Sequence, residues 1–194
     1  MPRRTVNQND FFPLVNAEFS EYERVRKTSK ATAVDPIDLE LRKDKSSHIG
    51  RTAVLHSVAT RDCFLEGEIS ERDLLKYTLK IFVPSFGSPP CLRIDSRGND
   101  HLNHETGDGL PSRPVPAPHF HKVDSDGWLR AYLTDELRDP KIAEAVAKDI
   151  ALGTNLFCQE VNLVSPSGSA VVLQKVTAAL PLSNTGAMDA VQFP

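Results

Sequence analysis

Histidine is the side chain in this sequence best suited to chemistry at neutral pH, and four of its six copies stand in one stretch: His101, His104, His119 and His121. An imidazole titrates near neutrality, so it can take a proton in one step and return one in another. His119 and His121 are two residues apart in the strand-like run PHFHKV. Both side chains therefore leave one face of a sheet, and Phe120 leaves the opposite face toward a core. Paired imidazoles are poor core packing, because each needs a hydrogen-bond partner. Arg93 and Asp95 repeat the spacing in CLRID, so they share a face of their own strand.

Three readings of this cluster stay open. In the first, His119, His121 and His101 act as acid and base on RNA, without a metal. Arg93 holds the phosphate and Asp95 orients an imidazole or the guanidinium. RNA cleavage needs a base for the 2′-hydroxyl, an acid for the leaving oxygen and a cation for the developing charge, and these residues supply that set. One imidazole neutral and one charged would give a bell-shaped pH profile. In the second reading, His119 and His121 join His104 and an acid such as Asp95 around zinc or nickel, since imidazole suits both ions. In the third, the histidines bond to loop carbonyls, Arg93 and Asp95 form a plain ion pair, and the chain is a non-catalytic binding protein. An antitoxin-like protein, or a phage protein occupying a host factor, fits that last reading.

The elements that must position these residues follow from periodicity. TAVLHSVAT, CFLEGEIS, LLKYTLKIFV and CLRID alternate or are rich in β-branched and aromatic residues, and short polar breaks separate them. PHFHKV and WLRAYL add a hairpin across DSDG. A first helix is expected from Asp10, with Phe12, Val15, Phe19 and Tyr22 at helical spacing. A second helix is expected over DPKIAEAVAKDIALGTNLF, where Asp139 is the N-cap, Pro140 takes the first position and Gly153 ends or interrupts it. AVVLQKVTAAL reads as helix or strand. The expected fold is α+β: an antiparallel sheet of about five or six strands with N- and C-terminal helices packed on one face. Phe64, Leu75, Phe82, Ile94, Phe120, Val146 and Ile150 are its expected core. Residues 1–51 read as a helix and an irregular linker, 52–165 as the single core domain, and 166–194 as an extension.

Composition narrows the class. A chain of 194 residues with 40% hydrophobic and 25% charged residues can bury a core without disulfides or a structural metal. A net charge of −3 argues against coating nucleic acid by bulk charge. The cysteines Cys63, Cys91 and Cys158 are far apart with no CxxC pair, which suits space-filling thiols in a reducing cytoplasm. No apolar run reaches the length of a membrane span, and no signal-peptide core follows Arg3 and Arg4, so a cytoplasmic protein is expected. P-loop, GxGxxG, GxSxG and HExxH motifs are absent from the sequence.

The order Arg93-x-Asp95-x-x-Gly98-x-x-His101-x-Asn103, then Pro118-His119-x-His121, then Trp128-x-x-Ala131 resembles a family of small, largely uncharacterised bacterial and phage proteins. The resemblance extends to Phe157, Cys158 and Asn162 and spans residues 64–163. More distantly the chain is similar to TumE-type toxins of toxin–antitoxin pairs, which share an Arg-x-Asp strand followed by a His-x-His strand. That likeness implies an RNA-directed toxin or a phage-defence component with an antitoxin as partner. The proline-rich loop over residues 105–117 is longer than the family's pattern.

Overall fold

The computed structural model describes residues 16–28, 30–31, 37–56, 63–83, 90–103, 114–165 and 171–176. Its central strands are β3 (Ser47–His56), β4 (Cys63–Ser70), β5 (Tyr77–Phe82), β6 (Leu92–Asp95), β7 (His119–Val123) and β8 (Leu129–Tyr132), each antiparallel to the next. Alternation chooses their faces. In β4, Cys63, Leu65, Gly67 and Ile69 are buried while Phe64, Glu66, Glu68 and Ser70 are half-buried. In β5, Tyr77, Leu79 and Ile81 point inward. Leu79 pairs with Ile94 and Ile94 with Phe120, so one apolar row crosses three strands.

The sheet is larger than expected, and it is mixed. β1 (Lys30–Ala31) and β2 (Ile37–Asp44) lie in the stretch expected to be an irregular linker. β9 (Leu163–Val164) runs parallel to β1, and β10 (Val171–Lys175) runs parallel to β2. The long path is β10-β2-β3-β4-β5-β6-β7-β8, curled into a half-barrel. Gly67 permits the curl: a Cβ there would stand 2.4 Å from Leu39 Cδ2, so Leu39 of β2 seats where other residues would carry a side chain.

Helices cover the inner face. α1 (Asn16–Lys27) buries Tyr22 and Val25, and the Tyr22 hydroxyl donates to the Pro90 carbonyl at 2.7 Å and accepts from the Val123 amide at 3.0 Å. The expected second helix is two helices, α2 (Pro140–Lys148) and α3 (Ile150–Glu160). Asp149 divides them, because its carboxylate accepts from the Ala151 and Leu152 amides at 2.8 and 3.2 Å and caps a fresh helix start. Gly153 lies inside α3 and ends nothing. A Cβ there would meet the Tyr77 hydroxyl at 1.5 Å, and that hydroxyl donates to the Val146 carbonyl at 2.9 Å.

Ile94, Phe120 and Val146 are in the core as expected, and Ile150 packs partly buried against it. Leu75 is a correction: it sits in the turn before β5 and is 36% exposed. Phe64 and Phe82 are corrections too. The register gives their neighbours the inward face, so both are half-buried outside, stacked at 6.0 Å beneath the Arg51 guanidinium. Residues 1–15, which hold the expected start of the first helix, lie outside the described residues, as does most of the expected C-terminal extension.

Candidate functional site

The outer face of β6 and β7 carries the site. Arg93 pairs in register with His121, and Asp95 with His119, so the four side chains form a square across neighbouring strands. The two-residue spacing sets each pair on one face, and the antiparallel register sets the pairs against each other.

Asp95 is the hub. Its Oδ1 accepts from Arg93 Nε at 2.8 Å and from Thr78 Oγ1 at 3.0 Å. Its Oδ2 accepts from Arg93 Nη2 and faces His121 Nε2 at 3.0 Å. Burial alone would raise its pKa, but His121 and Arg93 outweigh it and hold the carboxyl well below the usual carboxylate range. Ionised Asp95 can only accept, so the proton of neutral His121 resides on Nε2 and its Nδ1 presents a lone pair. That Nδ1 is buried and has no hydrogen-bond partner among the described residues.

His119 and His121 are 3% and 2% exposed. Burial pushes the His121 pKa down to about 4, with Asp95 opposing and Arg93 and His119 adding to the fall. Burial also lowers His119, against the pull of the Pro116 carbonyl and Asp95. Burial thus shifts both rings toward the neutral form. His119 Nε2 lies 4.0 Å from Asp95 Oδ2, outside hydrogen-bond range.

His101 arrives from the loop after β6. Its backbone forms a bridge with Val115, at 2.9 and 2.8 Å. Its half-buried ring sits edge-on, 4.8 Å from the His121 centroid and 6.2 Å from that of His119. His104 lies outside the described residues. Five of the expected residues, Arg93, Asp95, His101, His119 and His121, thus meet in one place.

Two further residues hold the cluster. Asn103 is buried, and its side-chain amide makes a pair of 2.7 Å bonds with the Ala131 backbone, donating to the carbonyl and accepting from the amide. Ala131 pairs with His121 on its other side, so Asn103 seals the edge of β8 and ties the His101 loop to the site. Asn103 was visible as part of the His-x-Asn run, without a role. Thr78 reaches Asp95 only through the pairing of β5 with β6, which nothing local in the sequence encodes.

Asp95, His119 and His121 each offer one metal-ligating atom, all within 4.8 Å of one another. No helix among the described residues is long and apolar enough to cross a membrane. In comparisons with family models, with curated proteins and with solved structures, nothing matches this chain.

Proposed function

We propose that this cluster cleaves the RNA backbone by acid–base catalysis in the cytoplasm, as a toxin-like or phage-defence ribonuclease. The observation that carries the reading is the continuous chain from Arg93 through Asp95 to His121. A saturated carboxylate fixes the imidazole tautomer, and the opposite ring nitrogen remains a base. The likeness to TumE-type toxins supports the choice of RNA.

In the reaction, His121 Nδ1 removes the proton of a 2′-hydroxyl. The freed oxygen attacks the adjacent phosphorus, the bond to the 5′-oxygen breaks, and His101, which enters the step as the imidazolium, donates its proton to that leaving group. The products are a 2′,3′-cyclic phosphate and a 5′-hydroxyl. Arg93 spends Nε and Nη2 on Asp95, which leaves Nη1 for a phosphate oxygen. His119 stands beside it as the second imidazole, its ring centroid 4.6 Å from that of His121.

The test is cleavage of labelled RNA by the purified untagged chain. His121→Ala should lower the rate by about 10²–10⁴-fold. Arg93→Lys should also impair it, because an ammonium cannot hold Asp95 by two bonds and reach a phosphate. An RNA carrying a 2′-deoxy substitution at the cleaved position should resist. Rates indifferent to His121, His101 and His119 substitutions would remove the catalytic reading.

One observation favours a second reading, a protein-binding module. Ile142 and Leu152, 38% and 39% exposed, line an apolar groove of about 380 Å³ between α2 and α3. An antitoxin or a host factor is the kind of partner such a surface takes.

A further inference from the structure

We propose that Asp95, His119 and His121 also form a zinc site, filled as the His121 proton that faces Asp95 moves from Nε2 to Nδ1. The distances lie close to those one ion needs. Zinc binds nitrogen and carboxylate oxygen at about 2.0–2.2 Å, so two of its ligand atoms stand roughly 3–4 Å apart. His121 Nε2 and His119 Nε2 lie 3.0 and 4.0 Å from Asp95 Oδ2, and one ligand atom from each residue falls within 4.8 Å of the others.

The donor set suits zinc better than calcium or magnesium, since two of its three members are imidazoles. All three side chains are buried on paired strands, so their desolvation and ordering are completed by folding. Thr78 and Arg93 hold Oδ1 from behind, in the way outer hydrogen bonds orient metal-binding carboxylates. To enter, the ion must displace Arg93 Nη2 from Oδ2 and take the place of the His121 Nε2 proton, which moves to Nδ1 of the same ring, while the Arg93 Nε and Thr78 bonds to Oδ1 remain. The His101 ring stands 4.8 Å from that of His121, close to the three donors.

One consequence rests on the acid–base reading, whereas the site itself does not. Bound zinc removes the hydrogen bond that fixes the His121 tautomer, so it inhibits RNA cleavage. The chelator-treated protein is then the active form.

The experiment uses the untagged full chain, stripped with chelator and titrated with Zn²⁺ by calorimetry, with Co²⁺ absorption as a second probe. We expect one ion per chain. His119→Gln and Asp95→Asn should each weaken binding by at least about 10-fold, while His48→Ala, on β3, leaves it unchanged. Histidine ring NMR of the wild-type chain gives a measurement free of folding defects, in which the His119 and His121 signals should move together on adding Zn²⁺. Absence of binding, or binding that leaves those two signals still, overturns the site. RNA cleavage is read separately. Zinc bound with no cleavage under any condition defeats the ribonuclease reading alone, and cleavage indifferent to stoichiometrically bound zinc defeats the inhibition.

Discussion

Asp95 takes hydrogen bonds from Arg93, Thr78 and His121, enough to occupy both of its oxygens. A carboxylate so filled is an organiser: it neutralises Arg93, points its guanidinium along the strand face and fixes which His121 nitrogen carries the proton. Asp95→Asn keeps the shape but turns one acceptor into a donor facing Arg93 or His121. That change should cost about 1.5–3 kcal/mol of stability, the scale of hydrogen bonds to charged groups, and should slow RNA cleavage less than His121→Ala. Urea unfolding and initial rates on the same preparations measure both. An Asn variant as stable as the wild type would show that the carboxylate network holds nothing in place.

At the scale of elements, α3 is seated on the sheet through one close approach. Gly153 faces the Tyr77 hydroxyl with no room for a methyl group, and that hydroxyl satisfies the Val146 carbonyl at the end of α2. Gly153→Ala should therefore cost about 1–3 kcal/mol as overpacking, despite the better helix propensity of alanine. Adding Tyr77→Phe should recover part of the loss by removing the clashing oxygen. A strictly additive pair in thermal unfolding would break the link. In α1, Glu23 is held by Arg26 at 2.9 Å and by Lys27 at 2.7 Å. Burial pushes its pKa up, but the two cations outweigh it and lower the value from 4.5 to about 2. A lowered carboxyl pKa stabilises the fold above the unfolded value, and the benefit fades as pH falls through the folded one. The wild type should thus lose more stability than Glu23→Gln between pH 4.5 and 2. Equal losses would show that the ion pairs contribute no stability.

Across the whole molecule, the half-barrel separates an apolar inner face from a polar outer one, and β7 belongs fully to both. Phe120 packs against Phe157 at 6.4 Å and Tyr132 at 5.8 Å on the inside, while His119 and His121 are buried on the outside beside His101. Truncating Phe120 to Ala should cost about 3–5 kcal/mol, and loosening this strand should also disturb the imidazoles behind it. Denaturant unfolding together with histidine NMR checks both effects. A change within experimental error would contradict the facing of β7.

Alternation in the chain was enough to determine that β4 to β8 are strands, that Phe120 faces inward, and that Arg93 with Asp95 and His119 with His121 each share a face. Those features depend on the period-2 geometry of a strand, which is local. The break at Asp149 was also present in the sequence, as a capping residue overlooked inside a long apolar pattern. Pairing was beyond local reading. Which strands are neighbours decided that the two pairs stand side by side on one outer face, that Thr78 reaches Asp95, that β2 and β10 extend the sheet, and that Phe64 and Phe82 lie outside the core. Burial, and with it the shift of His119 and His121 toward the neutral form, came from the same tertiary source. An imidazole's protonation depends on every group around it, and those groups are assembled from strands and loops distant in the chain.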